Sequence, residues 1–544
     1  MSTPIASPGP AAAASTRGLR LRWALPGAAL AGALQAAALA PQPHAAWQLL
    51  AMALFLALLP RRGRDDTRLR SLALAAAFGF TWMLGSFWWL FVSLYRYGHL
   101  PAWMAGSAVA LLAAALSTFV IFSAWGWQRW RPGRLLGDAA LWSALWLLAE
   151  LARGQWFTGF PWGAVGYAHV DGPLAILAPW VGVYGIGAAA AFLAALLAGA
   201  VPRLWRQIVV ARQAGNARGP AHRAIWLSAA AAALSLFCAL GPTGRGPDFT
   251  EPTGTLSVTL LQGNVPQDEK FDWERLPETL AWHVRGLMAA RTDLVLAPET
   301  AIALLPDQLP PGLWQALTEH FSQGRVHALF GVPLGDFEHG YTNSVAGLAP
   351  GQAAYRYDKH HLVPFGEFIP PGFRWFVNLM RIPLGDFSRG PLAAPPFIVK
   401  GERVAPNICY EDLFGEELAA RFVDPALAPT VLANVSNIGW FGQTVAVDQH
   451  LQISRLRSLE LQRPMLRATN TGATVVIDHR GRVTHALAPH RRDVLIAQVQ
   501  GCAGNTPFAR WAGRWGLAPL WLCALAVAGI TLSRAGVPRP APPA

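Results

Sequence analysis

The sequence predicts a multi-pass α-helical membrane bundle of about eight helices, each long enough to cross a bilayer core of roughly 30 Å, joined to an α/β layered domain outside it. Three observations predict it. The 544 residues are 53% hydrophobic and only 14% charged, too apolar for an ordinary soluble protein. Apolar runs recur at the length of a bilayer crossing through the first half and once more near the end. From about Leu256 the texture changes to short β-rich runs bounded by turns.

The candidate spans are Trp23–Ala40, Ala45–Pro60, Ser71–Phe91, Met104–Trp125, Leu135–Ala152, Leu174–Val201, Ala224–Leu240 and Trp515–Leu532. The first two are short and flank Pro41 and Pro43, which predicts a tight helical hairpin. The opening stretch MSTPIASPGPAAAAS is small and polar, a disordered tail rather than a cleaved signal.

Arginine placement sets the expected orientation. Arg17, Arg20 and Arg22 precede the first span, and alternate loops carry Arg61, Arg62, Arg64, Arg68 and Arg70, then Arg129, Arg131 and Arg134, then Arg203, Arg206, Arg212, Arg218 and Arg223. Arg534 and Arg539 follow the last span. By the positive-inside rule this side is cytoplasmic, so both termini lie inside and the long stretch between the seventh and eighth spans lies outside. The expected organisation is a cytoplasmic tail over 1–22, a bundle over 23–240, an external domain over 241–514, a C-terminal span over 515–532 and a second tail over 533–544.

The formal charge of +13 does not point to nucleic acid, because the basic residues sit in short arginine groups between apolar runs rather than with exposed aromatics. Cys238, Cys409, Cys502 and Cys523 are widely spaced and form no disulfide framework. No CxxC or His-rich cluster indicates a metal, and neither a P-loop nor a GxGxxG opening a βαβ unit indicates a nucleotide cofactor.

Two outer loops, WWLFVSLYRYGHLPAW and RGQWFTGFPWGAVGY, are rich in aromatic residues. An interfacial belt accounts for them; lining a lipid entrance is a second reading, compatible with the first. Glu150 and Asp138 share an apolar run, but both are expected near helix ends, within reach of water.

In the external domain, LSVTLLQGNV, TDLVLAPET, VHALFGVPL, TNSVAGLA, VAPNICYE, TVLANVSN, ATVVIDH and VLIAQV have the length and β-branched content of buried strands. FDWERLPETLAWHVRGLMAA and VDQHLQISRLRSLELQ have helical spacing between them. Glu299, Lys359 and Cys409 each stand at a predicted strand end, where α/β folds place their chemistry. Singly they are a helix cap, a solvated charge and a small buried hydrophobe. Lysine is scarce, however, occurring only as Lys270, Lys359 and Lys400, so Lys359 in a mostly apolar segment asks for a specific role such as oxyanion stabilisation. Cys409 precedes YEDLFGEEL, a predicted helix start whose N-terminus would favour a thiolate.

APE at Glu299, K-H-H-L-V-P-F-G-E from Lys359 to Glu367, and N-I-C-Y-E around Cys409 resemble the three signatures of the nitrilase (carbon–nitrogen hydrolase) superfamily. TGFPW, LLQGNVPQ and ANVSNIGWFG, with the helical bundle, resemble its membrane branch, the apolipoprotein N-acyltransferase family. The resemblance covers nearly the whole chain. It implies an αββα sandwich, a Glu299-Lys359-Cys409 triad working by a ping-pong acyl-enzyme mechanism, and no cofactor. It also implies Glu367, Tyr410 and Glu411 as supporting residues that orient the triad and shape the pocket. The donor would be a membrane phospholipid, with phosphatidylethanolamine implied, and the acceptor a diacylglyceryl apolipoprotein. The location would be the bacterial inner membrane, with the catalytic domain periplasmic and the protein a monomer.

Where the family carries Trp directly after the Lys of the QGN segment, this chain has Lys270-Phe271 with Trp273 two residues on, so the aromatic wall falls to Phe271 or Trp273. Trp440 and Phe441 are candidates for gating acyl entry, although a hydrophobic turn also explains them. PPGFRWFVNLMRIPLGDFSRG reads as a mobile membrane-lying arm or as an ordinary insertion. A membrane-anchored amidase or nitrilase using water would share the triad. A transporter with an inactive outer domain would need more polar residues buried mid-span.

Overall fold

The computed structural model describes residues 21–60, 67–213, 220–241, 246–270, 272–336, 338–370, 372 and 387–535. Phe271 and most of the candidate arm, Arg374 and Arg381 included, lie outside the described residues, as does most of each tail.

Each of the eight apolar runs is helical: Leu21–Ala37, Ala45–Leu58, Thr67–Phe87, Ala102–Trp130, Leu135–Gln155, Ala178–Gln213, Pro220–Leu240 and Ala518–Ala535. Eight full crossings are not evident from length and composition. Among the described residues three helices are long and apolar enough to cross a membrane, or up to five if two bent pairs each count as one span. The shortfall has a physical origin: Ala45–Leu58 and Ile225–Leu240 are shorter apolar helices, and the helix from Arg68 to Phe87 bends by 58° into Leu90–Tyr97.

The polypeptide then builds two six-stranded sheets. The strands are β1 (Glu251–Gln262), β2 (Leu294–Ala297), β3 (His327–Asp336), β4 (Gly340–Leu348), β5 (Tyr355–Asp358), β6 (Phe397–Val399), β7 (Glu402–Ile408), β8 (Val431–Ser436), β9 (Met465–Thr469), β10 (Val475–Ile477), β11 (Val483–Ala486) and β12 (Asp493–Ala503). One sheet runs β12-β1-β2-β3-β4-β5 and the other β11-β10-β9-β8-β7-β6. Parallel pairing at the centre of each, β1-β2-β3 and β7-β8-β9, aligns the carboxyl ends of β2, β7 and β8. These central strands are buried on both faces, which explains their unbroken apolar runs.

Val258, Leu260, Leu296, Val404, Ile408 and Val435 fill the space between the sheets. Helices cover both outer faces, giving an αββα sandwich. Helix Leu276–Ala289 buries Leu276, Leu280, Val284 and Leu287, the one-face spacing of a helix lying on a sheet. It begins five residues later than the helical spacing from Phe271 predicts, with a proline in its first turn where a missing N–H costs nothing.

Helix Ala446–Leu461 is different. Gln449, His450, Gln452, Ser454, Arg457, Ser458 and Glu460 are all buried, because the helix lies between the second sheet and the helical bundle. Its polar groups hold the two together. Gln449 Oε1 accepts from the indole N–H groups of Trp89 (3.1 Å) and Trp162 (2.8 Å), and its Nε2 donates to the Ser86 carbonyl (3.2 Å). At the other end Glu460 accepts from the Val183 N–H at 2.7 Å. That N–H is presented by the kink at Gly182, whose φ of 64° suits glycine and where a Cβ would lie 2.5 Å from Phe508.

Glu150 corrects its expectation: it is 2% exposed and does not reach water. It accepts from the Val165 N–H (2.8 Å) beside Arg153, which donates to the carbonyls of Phe160 and Trp162 (2.7 Å each), so the pair braces the TGFPW loop. Asp138 pairs with Arg203 at 3.3 Å.

Replacing Gln449 by Leu leaves two buried indole N–H groups and one carbonyl without a partner. Each such group costs about 1–3 kcal/mol. The Gln449→Leu variant is therefore expected to unfold at clearly lower temperature in detergent, with red-shifted tryptophan emission; an unchanged midpoint would contradict this role.

Candidate active site

The structure draws the sequence-predicted residues to one place because their strands end on the same side. Glu299 follows β2, Lys359 follows β5, Cys409 follows β7 and Asn437 follows β8. Lys359 Nζ lies 3.4 Å from Glu299 Oε1 and 3.0 Å from Glu367, with Lys359 fully buried and both glutamates 8% exposed. Asn343 Nδ2 donates to Glu299 (2.8 Å) and Glu367 (2.6 Å), and the Asn437 N–H donates to the other Glu299 oxygen at 2.8 Å. A buried ammonium between two carboxylates is costly to desolvate and holds only because every partner is in place. Burial works to lower the Lys359 pKa, but Glu367, Glu299 and Cys409 outweigh it and hold the ammonium charged well above its ordinary range.

Cys409 faces this cluster. Burial, then the Glu299 charge, pushes its thiol up to about 12, against Lys359, the Ser436 hydroxyl and the Asn437 N–H, which favour the thiolate. The helix start expected after Cys409 is a five-residue 3-10 turn, Cys409–Leu413, followed by the short helix Gly415–Ala419. A sustained helix dipole therefore does not aim at the sulfur. The resting form is the thiol, and chemistry at this sulfur requires a neighbouring proton acceptor; Glu299 is the carboxylate in place.

Cys409 sits at φ 52°, a left-handed conformation that costs energy outside glycine and puts the sulfur on a tight strand-to-turn elbow. Its carbonyl is tied down by His450 Nε2 (3.2 Å) and Asn434 Nδ2 (3.4 Å). Arg467 donates to His450 Nδ1 (3.2 Å), so the ring proton is on Nε2 and points at the Cys409 carbonyl. Burial and Arg467 keep His450 neutral, and Asp412 pairs with Arg467 at 3.1 Å.

Glu411 links the elbow to the lysine strand. One oxygen accepts from the Ile408 N–H (2.7 Å) and the Tyr357 hydroxyl (2.7 Å); the other accepts from the N–H groups of His360 (2.7 Å) and His361 (3.2 Å). Tyr410 turns the other way, donating to the Gly159 carbonyl of the TGFPW loop at 3.0 Å. His361 stacks on Phe414 with ring centroids 3.5 Å apart and contacts the Thr158 carbonyl.

The candidate gate residues are less unified. Trp273 is 74% exposed on a turn. Phe441 packs on Trp89 at 4.3 Å, wedged against the outer loop, while Trp440 is 41% exposed and meets Tyr97 edge-on at 5.7 Å.

Sequence reasoning missed Lys270, Asn343, Asn437, Asp412 and His450. Lys270 is 3% exposed and donates to the Glu299 main-chain carbonyl at 3.0 Å. Burial lowers its pKa to about 8, against the charges of Glu299 and Cys409. The scarcity of lysine was the signal that could have found it; Asn437 gave none beyond its strand end, and Asn343, inside β4, gave none.

Residues 31–196 match the model of the apolipoprotein N-acyltransferase N-terminal domain, and residues 257–507 match carbon–nitrogen hydrolase. The chain is 52% identical over 520 residues to the apolipoprotein N-acyltransferase of Verminephrobacter eiseniae, covering 91% of this chain and 94% of that one. The chain belongs to the apolipoprotein N-acyltransferase family. Its relatives of that name include proteins from Ralstonia nicotianae, 46% identical over 90% of both chains, and Bordetella bronchiseptica, 42% identical over 92% of this chain and 95% of that one. The bundle with its TGFPW loop and the sandwich with its three strand-end groups are thus the two halves of one family architecture.

Two outcomes follow from the charges. Lys359→Met leaves two buried carboxylates facing each other without a cation, a loss of about 3–5 kcal/mol, expected as a large fall in the thermal midpoint. Lys270 should lose its proton near pH 8, where the unfolded chain still binds one. Between about pH 8 and its ordinary value of 10.5, stability therefore rises with pH from this group. Over the same window the site loses a positive charge beside Cys409, so alkylation of Cys409 by iodoacetamide is expected to rise less steeply with pH above about pH 8. That bend should be absent in Lys270→Met; a bend that persists would remove Lys270 from the account.

Proposed function

We propose that this protein moves a fatty acyl chain from a membrane phospholipid, through a Cys409 thioester, to the free α-amino group of the S-diacylglyceryl cysteine of apolipoproteins. The observation that carries the reading is the buried cluster of Glu299, Lys359 and Glu367 facing an elbow cysteine, in a chain whose curated relatives are named for this activity over nine-tenths of its length.

Glu299 takes the thiol proton and the thiolate attacks the ester carbonyl. Lys359, helped by a backbone N–H near the sulfur, stabilises the oxyanion; Glu299 then returns the proton to the departing oxygen and a lysophospholipid leaves. The acceptor amine then attacks the thioester with Glu299 managing its proton, giving ping-pong kinetics. Glu367 holds Lys359 charged, Glu411 fixes the elbow against the lysine strand, and Tyr410 ties the elbow to the TGFPW loop.

The same reading places the chain in the bacterial inner membrane as a monomer with eight crossings, both termini cytoplasmic and the domain over 241–514 periplasmic. Alternate arginine-rich loops support the orientation and the apolar helices a membrane location, while the number of crossings rests on the run lengths in the sequence. Both substrates are held by acyl chains, and extracting one costs roughly 0.8 kcal/mol per CH₂, so the reaction has to occur at the bilayer. Phosphatidylethanolamine is the donor the family implies. Trp440, beside Tyr97, and Phe441, against Trp89, stand where the outer loops meet the elbow and would screen acyl entry. A water-using amidase is less supported, since a soluble substrate needs no bundle woven into the elbow.

Incubation with phosphatidylethanolamine vesicles should add one acyl mass to the peptide containing Cys409, and the Cys409→Ala variant should not gain it. A diacylated lipopeptide with a free N-terminal amine should discharge the thioester, whereas its N-acetylated form should not. Equal product from both would overturn N-acylation.

A further inference from the structure

A second charged cavity lies away from the thiol. It encloses about 380 Å³, and its lining includes Arg403, Arg463, Arg510 and Arg514 but no aspartate or glutamate. Among the described residues none of the four arginines forms an ion pair. Arg463 is fully buried, and its guanidinium meets neutral carbonyls, those of Pro429, Leu461, Gln462 and Gly504, and the face of the Phe422 ring, but no carboxylate. Arg403 gives its Nε to the Ala428 carbonyl. Burial lowers the Arg463 pKa to about 10, opposed by Cys502 and reinforced by the charge of Arg403. Four guanidinium groups around one cavity repel one another, and an anion with several acceptor oxygens relieves that repulsion.

The place of the cavity narrows what the anion is. Arg510 and Arg514 lie one helical turn apart on Pro507–Trp515, which buries Phe508, Ala509 and Ala512 and is capped by Thr506. This helix meets the apolar helix Ala518–Ser533 at 94°, so if the latter crosses the bilayer, the former lies along its surface. Trp511 donates to the Trp180 carbonyl (2.8 Å), and Trp180 and Trp515 are 46% and 62% exposed, as tryptophans at headgroup depth are. Arg403 stands six residues before Cys409 along β7, a separation of about 20 Å at some 3.3 Å per residue. The cavity is therefore distinct from the acyl-transfer centre.

We propose that the arginine-lined cavity binds the phosphate of an anionic membrane phospholipid, a lipid held at the base of the sandwich rather than consumed as donor. It takes from the proposed function only that helix Ala518–Ala535 spans the bilayer. Arg510 and Arg514 would give the phosphodiester bidentate contacts, with Arg463 and Arg403 adding positive charge behind them, and no carboxylate of the lining competes. The bound lipid would fix the sandwich against the membrane surface beside helix Pro507–Trp515.

The full chain in non-ionic detergent is titrated with phosphatidylglycerol, phosphatidylcholine, inorganic phosphate or glycerol phosphate, reading the thermal midpoint and the bound mass by native mass spectrometry. Phosphatidylglycerol should bind and raise the midpoint. R510Q/R514Q, changed only at exposed positions, should bind it at least about tenfold more weakly, since two charge-assisted contacts are lost. Equal binding by wild type and variant would overturn the site. A full shift from inorganic phosphate or glycerol phosphate alone would overturn the lipid as its source, and phosphatidylcholine binding as well as phosphatidylglycerol would overturn anion selectivity. Acyl mass on the Cys409 peptide is followed in parallel: its absence would sink the acyl-transfer reading while leaving the lipid result to stand by itself.

Discussion

The cluster depends on one charge held where charge is expensive. The Lys359 ammonium is buried with Glu299 and Glu367 around it, and the enclosure works only because three strand ends and Asn343 converge on it. Burial is the larger reason that the thiol of Cys409 is disfavoured from ionising at rest, and the net negative balance of two carboxylates against one ammonium adds to it. Lys270, reaching Glu299 through its carbonyl, adds a second cation that partly offsets that imbalance. Position and charge are thus set together: the parallel centres of both sheets bring the groups to one side, and burial makes each group's state depend on the others.

The helical bundle contributes to this arrangement directly. A continuous apolar core runs from the bundle into Tyr410, Leu413, Phe414 and Ile438, the residues just behind the elbow. Polar contacts follow the same route, from Trp89 and Trp162 to Gln449, from Gly159 to Tyr410 and from Val183 to Glu460. The aromatic outer loops are therefore packed partners of the sandwich, and both early readings of them, belt and entrance, have to accommodate that contact.

Much of this was legible in the sequence. The eight apolar helices follow from run length, and the strands around Leu294–Ala297, Glu402–Ile408 and Val431–Ser436 from their unbroken β-branched runs. Glu299, Lys359 and Cys409 were visible as strand-end groups whose spacing resembles one superfamily. Other features were not legible, because they arise from contacts distant in sequence. Glu150 looked able to reach water from a helix end, but the folded TGFPW loop closes over it. YEDLFGEEL looked like a helix start, but Glu411 turns back to accept from Ile408 and His360, which tightens the segment into a 3-10 turn. His450 on a helix of ordinary spacing gives no hint that it anchors the Cys409 carbonyl 41 residues back in the chain. Crossing number is a further case, since bends and short helices weaken a count made from run length alone.

The hydrogen bond from the Tyr410 hydroxyl to the Gly159 carbonyl has a further meaning. The residue next to the sulfur is fastened to a loop of the helical half, at a glycine whose φ of 79° only a residue without a side chain adopts cheaply. The sandwich is therefore not a portable cassette set upon an anchor. Its elbow is finished by a piece of chain 251 residues earlier, so severing the sandwich from the bundle would leave the residue beside the sulfur without its tether.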